Sequence, residues 1–373
     1  MNLLKVGITG QSGFIGYHLT NYLHALHSEE IEIVPFDAAY FKNPDQLQEF
    51  VRQCDVIVHL AAMNRGPDED IYATNVLLVQ QLIGTLEATG CTPHVILSSS
   101  TQEERDNAYG RSKREGGLLL AAWAKRNTAR YTTLVIPNVF GPFGRPFYNS
   151  VVATFCYQLT HGQEPEIKVD ASLPLISVQD VTKEIFRVIT GSNCQSKICL
   201  GFTAEMKVSD ILIRLREFKE SYFDNHIVPN LKGSFDTDLF NTFRSFIESD
   251  HFPIYPEVHI DARGYLAEVL KERSGGQVFF SVTKPGITRG NHFHMRKIER
   301  FCVIQGTAQI QLRKIGTSKI IEYQVKGTSP SFVDIPTYYT HNITNCGSTD
   351  VLTLFWTNEL FNPDDTDTFY EPV

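Results

Sequence analysis

Apolar and polar residues follow two different patterns along the chain. In the first part, short apolar runs bounded by turn residues alternate with segments, such as residues 75–88 and 115–126, whose apolar positions recur every three or four residues. The short runs predict strands and the longer segments predict helices. The predicted strands are residues 3–9, 31–36, 56–61, 94–98 and 132–136. This alternation predicts an α/β domain, a parallel sheet with helices on both faces.

The pattern changes in the last third of the chain. Between about residues 258 and 357, strand-like runs are separated by glycine, proline and asparagine, and no long helical pattern occurs. Such a stretch predicts an all-β domain. A helical pattern within residues 236–253 precedes it and ends in a turn, which places the boundary near residue 250. We therefore predict two domains, residues 1–250 and residues 251–373.

Composition narrows the classes of function. The 373 residues carry a net charge of −8 with no basic run, so nucleic acid is not an expected partner. The apolar stretch at the start is too short for a signal peptide, and no segment approaches the roughly eighteen apolar residues of a membrane helix. The seven cysteines form no Cys-x-x-Cys pair, which is typical of a reducing compartment. We expect a soluble, cytoplasmic protein without membrane insertion.

A glycine-rich turn follows the first predicted strand. Residues 9–16 read Thr-Gly-Gln-Ser-Gly-Phe-Ile-Gly, and a helical pattern comes directly after them. Glycines there permit a tight turn and let backbone amides approach a pyrophosphate at the start of the helix. The sequence therefore predicts a dinucleotide site. The residues of this turn predicted to contact the cofactor are Gly10, Gly13, Phe14, Ile15 and Gly16.

Asp37, at the end of the second predicted strand, bears on the choice of cofactor. A carboxylate in this place binds the ribose 2′-hydroxyl and repels a 2′-phosphate, which favours NADH. Arg65 could still reach a phosphate. Both residues could also be solvated loop charges.

Tyr109 and Lys113 lie one helical turn apart on one face of a predicted helix. The Lys113 ammonium, together with a positive nicotinamide, can lower the pKa of the phenol. Tyr109 could then exchange a proton with a carbonyl oxygen. The preceding strand ends in Ser98, Ser99, Ser100 and Thr101, where a hydroxyl could bind the same oxygen.

The second domain contains a pattern of metal-binding side chains. His292 and His294 are two apart and point to the same side of a strand, and Glu299 and His341 can complete the set. Three neutral nitrogens and one carboxylate suit zinc above all, and would also suit iron, manganese, nickel or cobalt. The sequence predicts that these four residues bind one divalent metal, although a closed site with four ligands can be purely structural.

Residues 1 to about 245 resemble the extended short-chain dehydrogenase/reductases that act on nucleotide sugars. The resemblance rests on the glycine turn, the Tyr109–Lys113 pair, the His-Leu-Ala-Ala of residues 59–62 and the Pro-Asn-Val-Phe-Gly-Pro of residues 137–142. It implies a Rossmann fold. It also implies that Ser100 is the catalytic hydroxyl beside Tyr109 and Lys113, with Thr101 as the fallback, and that Asn138 meets the sugar nucleotide. Further cofactor contacts that it implies are Leu60, Ala61, Ala62, Tyr109 and Lys113.

The glycine, histidine and glutamate spacing around His292 resembles the two motifs of the cupin superfamily, whose β-barrels (double-stranded β-helices) hold a metal. The first motif fits in every position. The second, from Pro336 to Asn345, departs at Tyr338, which stands where the pattern has glycine.

A reductase followed by a cupin, with residues 261–264 and 284–292 as they stand, resembles the bifunctional capsular polysaccharide assembling proteins of UDP-N-acetyl-L-fucosamine synthesis. The resemblance implies that the cupin epimerises C3 of a UDP-linked 4-keto-6-deoxy amino sugar and that the reductase then reduces the C4 ketone with NADPH. It also implies a homodimer. NADPH conflicts with our interpretation of Asp37. The candidates for the C3 base are Tyr338, Tyr339, Lys284 and His259.

Two other functions remain open. The chain could be a sensor that binds a dinucleotide and a sugar without turnover, although an intact Ser100, Tyr109 and Lys113 argue against it. It could also be an epimerase or dehydratase that recycles its cofactor, with the cupin serving only as structure.

Overall fold

The structure, a computed structural model, describes residues 3–191, 195–256, 258–261, 264–267, 270–272, 276–359 and 362–373. Residue contacts group the chain into two units. The first consists of Met1–Val151 and Asp170–Val208, and the second of Val152–Val169 and Ser209–Val373. The boundary near residue 250 stays a prediction.

The chain forms helices in its first two thirds and mostly strands afterwards. The helices are α1 (Phe14–His27), α2 (Pro44–Gln53), α3 (Asp68–Thr89), α4 (Ala108–Asn127), α5 (Val151–Thr160), α6 (Val178–Thr190), α7 (Val208–Phe218) and α8 (Gly233–Arg244). Shorter helical turns are Ala38–Lys42, Thr101–Glu104, Lys219–Asp224 and Ser249–His251. The strands of the first unit are β1 (Leu4–Thr9), β2 (Ile31–Val34), β3 (Val56–His59), β4 (His94–Ser100), β5 (Tyr131–Ile136), β6 (Asn138–Phe140), β7 (Ser172–Ser177), β8 (Lys197–Cys199) and β9 (Ala204–Lys207).

The strands of the second unit are β10 (Ile227–Val228), β11 (Val258–Asp261), β12 (Gly264–Ala267), β13 (Lys271–Glu272), β14 (Gln277–Thr283), β15 (Thr288–Phe293), β16 (Glu299–Gln305), β17 (Thr307–Lys314), β18 (Ile320–Lys326), β19 (Phe332–Ile335), β20 (Tyr339–Asn345), β21 (Val351–Thr357) and β22 (Phe369–Tyr370).

The main sheet of the first unit is parallel, with the strand order β2-β1-β3-β4-β5-β8. One apolar core lies on the face covered by α2, α3 and α4, and a second lies on the face covered by α1 and α6. The predicted α/β fold is therefore confirmed. The strand order reverses between β1 and β3, and in open α/β sheets ligands bind outside the carboxyl ends of the strands at such a point.

Helix α4 begins earlier than its apolar pattern indicates. The side chain of Asn107 accepts a hydrogen bond from Gly110 N at 2.7 Å, which caps the first turn. Tyr109 and Lys113 consequently both lie near the start of α4, as predicted. The segment of residues 115–126 is its central part, just as residues 75–88 are the central part of α3.

The second unit contains two larger antiparallel sheets, ordered β14-β21-β16-β19 and β18-β17-β20-β15-β22. They share one core, to which Phe301 and Phe355 contribute from the first sheet and Ile310 and Ile343 from the second. This arrangement confirms the predicted all-β, cupin-like fold. The helix predicted within residues 236–253 is α8, followed by the turn Ser249–His251. Among the described residues, no helix combines the length and apolarity needed to cross a bilayer.

Candidate active site and metal centre

The glycine turn after β1 is packed so closely that it admits no side chains at two positions. Gly10 has φ +75°, and a Cβ added there would lie 2.8 Å from Ala61 N. A Cβ on Gly16 would lie 2.2 Å from Gly10 O. Gly13 caps α1 without a side-chain hydrogen bond, and the first turn of α1 carries no acidic residue. The amides of that turn therefore suit an anion such as a pyrophosphate.

The loop after β3 lies against this turn. Leu60 N donates to Thr9 O at 3.1 Å, and Ala61 N donates to Thr9 Oγ1 at 3.4 Å. The same hydroxyl contacts His59 Nδ1 at 2.8 Å. Burial, with the charge of Lys113, lowers the pKa of His59 to about 3, so its imidazole is neutral. The structure thus brings the predicted residues Leu60 and Ala61 next to Gly10, with Ala62 following in the chain.

The three serines at the end of β4 have different partners. Ser98 Oγ donates to His59 O at 3.1 Å, and Ser99 Oγ donates to the buried carboxylate of Glu103. Ser100 is half-buried at the carboxyl end of the strand, where its oxygen accepts from Gln102 N at 3.2 Å. Within the described part of the chain no acceptor takes the hydroxyl proton of Ser100, whereas Ser98 and Ser99 donate theirs to His59 O and Glu103.

Lys113 lies beneath Tyr109 on α4. Its Nζ donates to Ser98 O at 2.9 Å and lies 5.6 Å from the centroid of the Tyr109 ring. Burial lowers the pKa of Lys113 to about 8. Burial and the neighbouring Tyr148 raise the pKa of Tyr109 to about 12. Burial therefore dominates the pKa of Tyr109 in the protein without cofactor, and the lowering expected from Lys113 together with a positive nicotinamide stays a prediction.

Asn75 and Glu103 support this site, and Glu103 was not singled out in the sequence. Asn75 accepts from Met63 N at 2.6 Å and donates to Ser112 Oγ at 3.0 Å, and that hydroxyl donates to Tyr109 O at 2.8 Å. Glu103 holds Ser99 and forms an ion pair with Lys197. No local pattern marks Glu103, because Lys197 lies 94 residues away.

Asp37 is exposed beyond β2 and accepts from Ala39 N at 2.8 Å. Together with Gln11 and His24 it lines a cavity of about 510 Å³ beside the glycine turn. Arg65 does not line this cavity, and its guanidinium donates to Tyr148 O at 2.9 Å.

The predicted substrate residue Asn138 is exposed on β6, where its amide donates to Pro174 O at 3.2 Å.

In the second unit, His292, His294, Glu299 and His341 each direct one ligand atom into a common cluster, and these atoms all lie within 4.8 Å of one another. Glu299 Oε2 is 3.0 Å from His294 Nε2 and 3.2 Å from His341 Nε2. All three atoms are buried, yet none makes a well-formed hydrogen bond among the described residues. Buried polar atoms of this kind fit a shared cation.

Two backbone carbonyls orient the imidazoles. The Nδ1 of His294 lies 2.6 Å from Asp367 O, and the Nδ1 of His341 lies 3.2 Å from Tyr339 O. A proton on each Nδ1 leaves the Nε2 lone pairs for the cluster, as metal-binding histidines require. Burial, with the neighbouring histidines, lowers the pKa of His292 to about 3, which keeps this ligand neutral.

Tyr338 replaces the cupin glycine without losing the turn. It adopts φ +60°, the conformation that glycine would favour, and its N–H donates to His294 O at 2.8 Å. The departure from the motif therefore changes the residue but keeps the backbone that supports His294.

Comparisons with known proteins agree with this architecture. Residues 6–197 match the NAD dependent epimerase/dehydratase family, and residues 259–369 match the polysaccharide biosynthesis C-terminal domain. A UDP-2-acetamido-2,6-β-L-arabino-hexul-4-ose reductase of Pseudomonas aeruginosa is 32% identical over 370 residues, which is 98% of each chain.

Crystal structures of the capsular polysaccharide assembling protein CapF are similar over nearly the whole chain. That of the Staphylococcus aureus protein has a TM-score of 0.62 and 34% identity, covering 99% of this chain and 100% of the other. A structure of CapF with the inhibitor 3-isopropenyl-tropolone has a TM-score of 0.58 and 31% identity, with the same coverage.

Proposed function

Since the chain belongs to the NAD dependent epimerase/dehydratase family and, over nearly its full length, to the family of the Pseudomonas reductase, we propose that it reduces a UDP-linked 4-keto-6-deoxy amino sugar. The reductant is a nicotinamide cofactor, and the reaction turns the C4 ketone into an alcohol. The product lies on the route to UDP-N-acetyl-L-fucosamine for capsule or O-antigen.

The observation that carries this proposal is the meeting of three groups at the carboxyl end of the sheet. Ser100 ends β4, Lys113 reaches back to Ser98 O, and the Tyr109 ring lies over the Lys113 ammonium. The glycine turn and the cavity beside Asp37 lie at the same end of the strands. A cofactor and a carbonyl group can therefore be bound side by side.

Each of the three side chains has a task in the reduction. A reduced nicotinamide, when bound, supplies the hydride that C4 receives. Tyr109 donates its phenolic proton to the C4 oxygen, and Ser100 donates a hydrogen bond to the same oxygen. Lys113 stabilises the phenolate that remains, which opposes the burial that raises the pKa of Tyr109.

Oxidation of added NADPH or NADH by a UDP-4-keto-6-deoxy amino sugar tests this function. Tyr109→Phe keeps the ring but removes the proton, so turnover should fall at least about 100-fold. Tyr72→Phe, an exposed tyrosine on α3, is the matched control and should keep wild-type turnover. Near-normal reduction by Tyr109→Phe would refute the role of Tyr109. No net cofactor oxidation by the wild type would favour a sensor or a cofactor-recycling epimerase.

Two arguments give opposite answers for the preferred cofactor. The exposed carboxylate of Asp37 favours NADH, whereas the family resemblance favours NADPH. We propose that both cofactors bind, with NADPH as the physiological one.

We further propose that His292, His294, Glu299 and His341 bind one divalent metal, zinc above all. The buried atoms without good hydrogen bonds and the carbonyl-oriented imidazoles support this assignment. The inhibitor in the related CapF structure is a tropolone, a class of compound that chelates metals through two adjacent oxygens.

The second unit has a proposed task before reduction, the epimerisation of C3. A C3 proton is acidic only while C4 is a ketone, so this step must precede the reduction. A divalent metal, when bound, stabilises negative charge on an oxygen. A base among Tyr338, Tyr339, Lys284 and His259 would move the proton. Of these, Tyr338 is buried and Lys284 is exposed, while the side chain of His259 lies outside the described residues.

Hydrogen exchange tests this second step. With nicotinamide omitted, the 4-keto substrate in heavy water should gain deuterium at C3 without being reduced. Tyr109→Phe should exchange at the wild-type rate, because it affects only the reduction. Absence of exchange in the metal-loaded wild type would leave the second unit as a structural or binding module.

We also propose that the protein is a cytoplasmic homodimer. Light scattering tests the oligomeric state, and cell fractionation tests the location.

A further inference from the structure

The C-terminal residues 362–373 run beside the loop that joins two of the proposed metal ligands, His294 and Glu299. In this tail, β22 pairs with β15 so that Tyr370 lies opposite His292. The tail is therefore hydrogen-bonded to the strand that carries the first ligand.

Asp367, in the same tail, contacts the ligand loop with its side chain and its backbone. Its carboxylate accepts hydrogen bonds from three successive amides, Met295 N at 3.2 Å, Arg296 N at 2.9 Å and Lys297 N at 2.8 Å. Its own carbonyl oxygen lies 2.6 Å from His294 Nδ1. One residue thus fixes both the backbone of the loop and the imidazole that precedes it.

The setting of Asp367 strengthens these contacts. The residue is buried and has φ +43°, a backbone conformation that side chains rarely adopt. Hydrogen bonds to an ionised carboxylate are stronger than those between neutral groups, and a row of consecutive amides forms a site for an anion. Here the anion belongs to the chain itself, 70 residues beyond Lys297.

We propose that Asp367 is a positioning residue of the metal centre. Its carboxylate holds residues 295–297 in place, and its carbonyl directs the Nε2 of His294 toward Glu299. The inference rests on the metal site proposed above. It assigns to the C-terminal tail the orientation of the ligand His294 and of the loop that follows it. Metal-binding histidines need such hydrogen-bond partners to fix the direction of their rings.

Asp367→Asn tests the assignment in the full-length protein. The variant keeps the shape, and asparagine tolerates a positive φ, but an amide offers one accepting oxygen instead of two. At least one of the three loop amides must then lose its acceptor. We expect Co²⁺, measured by competition with a chelator, to bind about 10–100-fold more weakly, with altered d–d absorption.

Asp365→Asn is the matched control. Asp365 lies in the same tail, but it is exposed and its carboxylate binds the side chain of Arg296 rather than the loop amides. This variant should bind Co²⁺ with wild-type affinity and spectrum. Asp367→Gly suits the positive φ and removes the carboxylate entirely, so it should weaken binding at least as much as Asp367→Asn.

Wild-type Co²⁺ affinity and spectrum in both Asp367 variants would overturn the proposal. Unchanged Co²⁺ binding with a lower unfolding temperature of the metal-free variants would show that Asp367 has a purely structural role. A wild-type protein that binds no Co²⁺ would instead refute the metal site itself.

Discussion

Gly110, within the Tyr109-to-Lys113 stretch, offers a way to disturb the active site without removing a functional group. A Cβ built on Gly110 would lie 2.0 Å from Gln102 O and 2.9 Å from Arg105 O, whereas real Cβ atoms stay beyond about 3.0 Å. Gly110→Ala must therefore move α4 and the turn Thr101–Glu104 apart by about 1 Å.

This movement changes the spacing of the catalytic groups. Tyr109 precedes Gly110 on α4, and Ser100 caps the turn on the other side of the contact. A misplacement of about 1 Å can reduce turnover about 100-fold. The steric overlap should lower the free energy of unfolding by about 1–3 kcal/mol. The higher helix propensity of alanine should raise it by at most about 1 kcal/mol.

Gly84→Ala is the matched control, because Gly84 is exposed on α3 and an added Cβ meets nothing within 4 Å. This variant should gain about 0.5–1 kcal/mol in unfolding free energy and keep wild-type turnover. The assays are steady-state cofactor oxidation and denaturant unfolding followed by circular dichroism. Gly110→Ala with wild-type turnover would show that the close contact does not set the position of Tyr109.

Three further predictions concern the metal, the cofactor and pH. Elemental analysis should find about one metal ion per chain, which is lost when His294 and His341 both become alanine; metal retained by that double variant would place the ligands elsewhere. Asp37→Ala should shift the preference toward NADPH, and a wild type that already strongly prefers NADPH would refute our interpretation of Asp37. Burial lowers the pKa of Lys113 to about 8, so the folded state disfavours the charged ammonium. Between about pH 8 and pH 10.5 the folded state loses this proton while the unfolded state keeps it. The free energy of unfolding should therefore rise over that range, by roughly 3 kcal/mol relative to Lys113→Met. Parallel pH profiles of the two proteins would contradict the burial of a charged Lys113.

The sequence predicted those features whose physical cause is local. The strand that became β1 is marked by its own apolar run, and the pairing of Tyr109 with Lys113 follows from helical spacing alone. The histidines of the metal cluster were found in the same way, from the two-residue spacing of His292 and His294, although β15 ends at Phe293 and His294 lies just beyond it. Apolar periodicity alone indicated a helix only from residue 115, because the start of α4 depends on a cap, Asn107, rather than on apolar residues.

Features that depend on distant contacts could not be predicted. Asp367 is an ordinary acidic residue until the fold brings it to amides about 70 residues earlier in the chain. The same holds for Glu103 and its partner Lys197. The raised pKa of Tyr109 was also missed, because its main cause is burial, which the sequence does not show.

The second unit is discontinuous in the chain, and this matters while the protein is being made. Residues 152–169, which include most of α5, are synthesised before the rest of that unit, Ser209–Val373. At about 5–20 residues per second, synthesis of the remaining residues of that unit takes on the order of 10–40 s. Phe155, Cys156 and Leu159 of α5 are buried in the folded protein, and the unit that contains them is incomplete during this interval. The apolar side chains of α5 should therefore be open to chaperones until residues 209–373 have left the ribosome.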